Sequence, residues 1–152
     1  MLMRMYCWRY ASVKRYIGQM VRASKAVDLP QLFAALADPT RLRLLNLMSG
    51  REVCVCFFVE ILKQSQPKIS RHLAYLRRAG IVAARREGKW MHYRIVHPAD
   101  ERAASILDAT LQSLTGDRSM QADLARLGNA CCTPERFVAL QGAPLPASLA
   151  AK

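Results

Sequence analysis

The apolar residues change their period between Ile69 and Ile95, and few folds accommodate that change. Ile69, Leu73 and Leu76 stand at i, i+4 and i+7, the stripe of a helix with one buried face. The opposite face carries Lys68, Arg71, His72, Tyr75 and Arg78. Ser65 is suited to cap this helix, with Pro67 in its first turn, and Gly80 is suited to end it. Met91, Tyr93 and Ile95 then alternate with Trp90, His92 and Arg94, the period of a half-buried strand. Gly88-Lys89 separates that strand from the stretch Val82 to Glu87, which predicts a β-hairpin. A basic amphipathic helix running straight into a basic hairpin points to a mainly α fold with one small β-wing.

The flanking sequence completes that plan. Leu32, Phe33, Leu36 and Ala37 form one helical stripe, and Asp38-Pro39-Thr40 stops that helix and starts another. The second helix carries Leu44, Leu45, Leu47 and Met48 and is expected to end at Gly50. Beyond the wing, Ala103, Ile106, Leu107, Thr110, Leu111 and Leu114 repeat at helical spacing. This stripe reads as a dimer helix, with closure of the domain's own core as the alternative. The expected organisation is a basic, poorly ordered arm over 1–28, a winged helix-turn-helix over 29–116, and a loose tail over 117–152 with a short helix near 121–127. Met20 offers an alternative translation start within the arm.

Charge concentrates on the same helix and hairpin. The chain has 152 residues and a formal net charge of +12. Between Lys63 and Arg94 there are nine basic residues and one acid, Glu87. That is the footprint of a nucleic-acid face, with a solvated basic surface or an anionic-lipid patch as the alternatives. A lipid-spanning segment is not expected, because the longest apolar run is the seven residues Val53 to Val59 and a bilayer needs about 20. Nor is a secretory signal, since positive charges interrupt the first 25 residues. The expected compartment is the cytosol, where thiols stay reduced.

A domain of this length needs no cross-links to hold a core, so its five cysteines call for another role. Thiolates suit soft, thiophilic ions and metalloids. In Cys54-Val55-Cys56 the thiols diverge by about 200° in a regular helix, so chelation there requires extended or helix-starting backbone. The alternative is a pair of small buried hydrophobes. Cys131 and Cys132 are adjacent, a poor structural disulfide but two thiols that can reach one thiophilic atom.

The runs SQPKISRHLAYLRRAGIV (65–82) and REGKWMHYRI (86–95) resemble the recognition helix and wing of the ArsR family of metal-sensing repressors. ALADPTRLRLLNLM (35–48) and EVCVCFFVEIL (52–62) resemble the same family, in wording nearest its arsenical-resistance repressors. The resemblance implies a homodimer formed through terminal helices and bound to double-stranded operator DNA, released when trivalent arsenic or antimony binds cysteine thiolates. By resemblance and position, Gln64, Ser65, Gln66, Lys68, Ser70, Arg71 and His72 face DNA, and Arg85, Arg86 and Lys89 hold phosphates. Cys54 and Cys56 are the implied metalloid ligands.

Here the chain departs from the family pattern, having Val59 in place of a third cysteine and Phe57 in place of an acidic residue. Cys131 and Cys132 are the leading candidates for further ligands. Cys7 is the other, and would bring the chain nearer the cadmium and lead sensors. The zinc sensors' Asp and His pairs on the last helix have no histidine counterpart here. A thiol-dependent enzyme is not expected, since neither cysteine pair lies in a Gly-rich or basic anion cradle. A thiol-redox repressor of the same fold remains the other alternative.

Overall fold

Asp28 opens α1 (Leu29–Leu36) by accepting the backbone N–H of Gln31 at 3.1 Å, with Pro30 in the first turn, where its missing donor costs nothing. Residues 27–132, 140 and 142–148 are described in this computed structural model. The arm expected over 1–28 therefore lies, apart from its last two residues, outside the described residues. Asp38 repeats the capping device for α2 (Pro39–Met48), accepting from the Arg41 N–H at 2.9 Å. Arg41 closes the joint from the other side. Its Nε and Nη2 donate to the carbonyls of Ala35 and Ala34 at 2.7 and 2.6 Å, satisfying acceptors that the end of α1 leaves open. The buried residues of α1 are Leu32 and Ala35, whereas Phe33 is 54% exposed. The expected stripe is thus rotated: the helix stops before Ala37, and Phe33 falls with Leu29 on an outer face.

In α2 the four expected apolar residues are fully buried. A short strand, β1 (Arg51–Cys54), passes directly into α3 (Val55–Leu62), which buries Phe57, Phe58, Ile61 and Leu62. The basic helix α4 (Gln66–Arg78) buries Ile69, Leu73 and Leu76. Ser65 stands at its N-cap, but its side chain makes no capping hydrogen bond. β2 (Val82–Glu87) and β3 (Trp90–Ile95) pair antiparallel from Val82↔Ile95 to Glu87↔Trp90, as the alternation predicted. β3 also pairs with β1, in the register Val53↔Tyr93 and Cys54↔His92. A two-residue β4 (Ala147–Ser148) completes the order β2-β3-β1-β4. The result is a winged helix-turn-helix.

Asp100 caps α5 (Glu101–Leu114), accepting from Arg102 and Ala103. Ala103, Leu107 and Leu114 are buried within the protomer, while Ile106, Thr110 and Leu111 remain half-buried. Part of the stripe read as a dimer helix therefore closes the domain's own core.

The loose tail expected past residue 116 gives way to a continuous helix, α6 (Arg118–Cys132). Met120, Asp123, Leu127 and Ala130 line its buried face against α2 and α3. The sequence signal was weak because a buried Asp occupies the stripe. Its carboxylate accepts from Arg43 of α2 at 2.6 and 2.8 Å, and Asn46 Nδ2 donates to the Met120 carbonyl at 2.9 Å. Among the described residues, no helix is long and apolar enough to cross a membrane.

Candidate thiol site and nucleic-acid interface

Cys54 ends β1 and caps α3, and Cys56 lies in the first turn of that helix. The strand-to-helix junction turns both side chains the same way, so that the Cys56 thiol donates to Cys54 Sγ at 3.0 Å. This is the helix-starting backbone that a chelating Cys-x-Cys requires. Cys54 is fully buried and Cys56 half-buried. The hydrogen bond from Cys56 lowers the Cys54 thiol to about 7 against the opposing effect of burial, with backbone hydrogen bonds from Cys56, Met91 and Val55 assisting. A helix N-terminus favours a thiolate in the same sense. The Cys56 thiol is pushed up, first because its proton is held in that bond, then by burial and by the charge on Cys54. One sulfur is thus a ready thiolate and the other holds the shared proton.

Cys131 is half-buried near the end of α6, packed against the core. Among the described residues, no three His, Cys, Asp or Glu side chains cluster as a metal cage. Cys7 and the side chain of Cys132 lie outside the described residues.

The basic surface divides by what its charges already hold. Arg41, Lys68, Arg71, His72 and Tyr75 line a cavity of about 300 Å³ on the outer side of α4. The Arg41 guanidinium stacks 4.4 Å from the centre of the Tyr75 ring, and His72 Nδ1 lies 3.5 Å from Asp38. Ser65, Gln66, Lys68 and Arg71 are exposed and Ser70 is half-buried. Gln64 is half-buried, with Nε2 directed at the Thr40 hydroxyl at 3.5 Å. On the wing, Arg86 donates to the Gly88 carbonyl at 3.0 Å and Lys89 lies 4.9 Å over the Trp90 ring, both exposed.

Arg85, expected to hold a phosphate, is already engaged. Its Nε and Nη2 donate to Glu52 at 3.0 and 2.6 Å, and its Nη1 donates to Glu87 at 2.7 Å. Sequence reading could not see this, because Glu52 lies 33 residues upstream on a strand it had not resolved. Arg77 and Arg78 were not among the residues expected to face DNA. With Ala74 and residues 82–84 they line a trough of about 530 Å³ between α4 and the wing. Arg78 was visible on the polar face of the helix, whereas Arg77 borders the apolar stripe and carries no such signal.

Residues 38–84 match the model of a family described as bacterial regulatory protein, arsR family. Over 79 residues the chain is 52% identical to the arsenical resistance operon repressor of Escherichia coli, covering 51% of this chain and 68% of that protein. The chain belongs to the ArsR family. As an ArsR-family repressor it is a DNA-binding transcriptional regulator, the role to which its basic helix and hairpin are suited. Over 101 residues it is also 43% identical to the arsenic resistance transcriptional regulator ArsR1 of Pseudomonas putida, covering 62% of this chain and 78% of that one. A second regulator of that organism, ArsR2, is 42% identical over 85 residues, covering 55% and 74%.

Proposed function

We propose that this ArsR-family repressor leaves its operator when Cys54 and Cys56 capture trivalent arsenic or antimony. The observation that carries the reading is the pair of thiols 3.0 Å apart, one of them lowered to about 7. The arsenical-resistance names of its relatives support the choice of effector. Bound there, a trivalent metalloid hydroxide exchanges two hydroxyls for two sulfurs: one hydroxyl leaves as water with the Cys56 proton, and the other leaves as water with the Cys54 proton, or with a proton from solvent where Cys54 is already a thiolate. Two sulfurs satisfy two valences, so the site suits an effector whose third position keeps a hydroxyl or an organic substituent.

Release follows from burial. Cys54 is fully enclosed, so an atom bonded to both sulfurs must displace the β1–α3 junction that braces α4. The repressor acts as a homodimer in the cytosol, with one α4 from each protomer in successive major grooves. The half-buried residues Ile106, Thr110 and Leu111 of α5 contribute to the dimer contact. Ser65, Gln66, Lys68, Ser70, Arg71 and His72 face the bases and backbone, and Arg77, Arg78, Arg86 and Lys89 hold phosphates. Because effector and DNA binding are linked, DNA must weaken effector capture by the same factor by which effector weakens DNA binding.

The test is an operator-binding titration with arsenite, antimonite, cadmium, zinc and peroxide on the wild type, on Cys54→Ser and on a Cys131→Ser, Cys132→Ser double variant. The expected result is DNA binding by every variant, with release by arsenite lost only in Cys54→Ser. Normal release of Cys54→Ser by arsenite overturns the assignment. Release of the wild type by peroxide but not arsenite replaces it with a redox sensor.

A further inference from the structure

The contact between Glu52 and Arg85 spans more of the sheet than a surface ion pair does. Glu52 precedes Cys54 by two residues on β1, so the two side chains share one face of the strand. Arg85 lies on β2, and β3 runs between β2 and β1. Its guanidinium therefore reaches across β3 to seat two donors on Glu52, at 3.0 and 2.6 Å, and a third on Glu87 at 2.7 Å. Under this bridge is His92, whose backbone is in register with both Cys54 and Arg85. His92 is 4% exposed, with Nδ1 3.7 Å from Glu52 and Nε2 3.7 Å from Glu87. The arrangement is a strap fastening the outer strand of the wing to the strand that carries the first thiol.

We infer that this strap transmits effector capture from Cys54 to the wing, which makes Glu52 and Arg85 positioning residues for operator release. The inference rests on the proposed function, since it requires an event at Cys54. β1 is four residues long, so a displacement of Cys54 is felt at Glu52. Glu52 is only 9% exposed, and a carboxylate this buried does not readily part from its guanidinium. Arg85 follows, and with it the strand bearing Arg86 and leading to Lys89 at the wing tip. The competing route is the backbone pairing of β1 with β3, which the strap bypasses.

The experiment compares operator affinity with and without arsenite for the full-length wild type, Glu52→Gln and Arg85→Met, together with arsenite uptake off DNA. Coupling between two sites is commonly about 5- to 150-fold, which sets the scale of release expected of the wild type. Glu52→Gln should bind operator in the absence of arsenite as the wild type does and take up arsenite with unchanged stoichiometry. Its release should fall at least about fivefold below the wild-type factor, within that range. Arg85→Met cuts the same strap from the exposed side and should lose release to a similar degree, so it decides the matter should Glu52→Gln fold poorly. The double variant should be no worse than Arg85→Met alone, as expected of two groups acting through one contact. Release of either folded variant by the full wild-type factor overturns the inference and leaves the proposed function standing. Loss of arsenite uptake by Glu52→Gln also overturns it, by placing Glu52 in the capture site. A wild type that arsenite does not release overturns the proposed function itself.

Discussion

Asp123, fully buried on α6, holds the Arg43 guanidinium of α2 through two hydrogen bonds of 2.6 and 2.8 Å. The pair joins residues 80 apart in sequence and fixes the last helix onto the helix-turn-helix. Burial alone would push the Asp123 carboxyl up, yet its pKa is lowered, because hydrogen bonds from Arg43 and Arg126 together outweigh desolvation.

This sets a direction for acid sensitivity. A carboxylate whose folded pKa is depressed contributes stability above its unfolded pKa, near 3.9, and loses it as pH falls through the folded value. Urea melts should show a contribution from Asp123 that is fully present at neutral pH and declines below about pH 4. Asp123→Ala should cost about 3 kcal/mol at pH 7, the low end for a broken buried pair because Arg43 and Arg126 keep access to water. The difference between variant and wild type should shrink in acid. A constant difference across that range rules the ionised pair out as its source.

Lys63 ends α3 with φ 51, the only non-glycine residue in the left-handed region among those described. Its side chain is exposed and pairs with Glu60. Relief of the left-handed backbone by Lys63→Gly should exceed the small loss of an exposed ion pair, for a net gain of about 0.5 kcal/mol. The thermal midpoint should rise slightly; a fall shows that the Lys63 side chain contributes more than its exposure suggests.

Much of the winged helix was legible because its signals are local. The Asp38-Pro39 joint, the stripe of Ile69, Leu73 and Leu76, and the alternation of Met91, Tyr93 and Ile95 each fix an element from neighbouring residues. What escaped depends on distant partners. Asp123 breaks the apolar stripe of α6 and makes sense only beside Arg43, and the pairing of Arg85 with Glu52 emerges only once their strands lie in one sheet. The thiol pair was half legible: Cys-x-Cys spacing called for a backbone that starts a helix, but only the fold shows that Cys56 donates to Cys54.

That donation is testable on its own. The Cys54 thiol is lowered to about 7 chiefly by the hydrogen bond from Cys56. The ultraviolet absorbance of the thiolate, followed with pH in a variant lacking Cys131 and Cys132, should titrate near 7 for one thiol. Removing the donor with Cys56→Ala should move that titration upward, toward or beyond the ordinary thiol value of about 8.5. If the low titration persists in Cys56→Ala, the backbone hydrogen bonds and the start of α3 suffice to hold the thiolate, and the pair is less cooperative than its geometry implies.

The re-sorted basic surface predicts which charges the operator feels. Arg77 and Arg78 have no carboxylate within ion-pair distance among the described residues and border the trough between α4 and the wing, whereas Arg85 is committed to Glu52 and Glu87. A lysine or arginine that neutralises a phosphate contributes close to one unit to the slope of log affinity against log salt. Arg77→Gln and Arg78→Gln should each weaken operator binding at low salt and lower that slope by about 1 per protomer, with little change in preference among operator sequences. In the absence of effector, Arg85→Met should change the slope by much less, because the guanidinium it removes already has its counter-charges within the protein. Equal slope losses for all three variants would mean that DNA draws Arg85 away from Glu52 on binding.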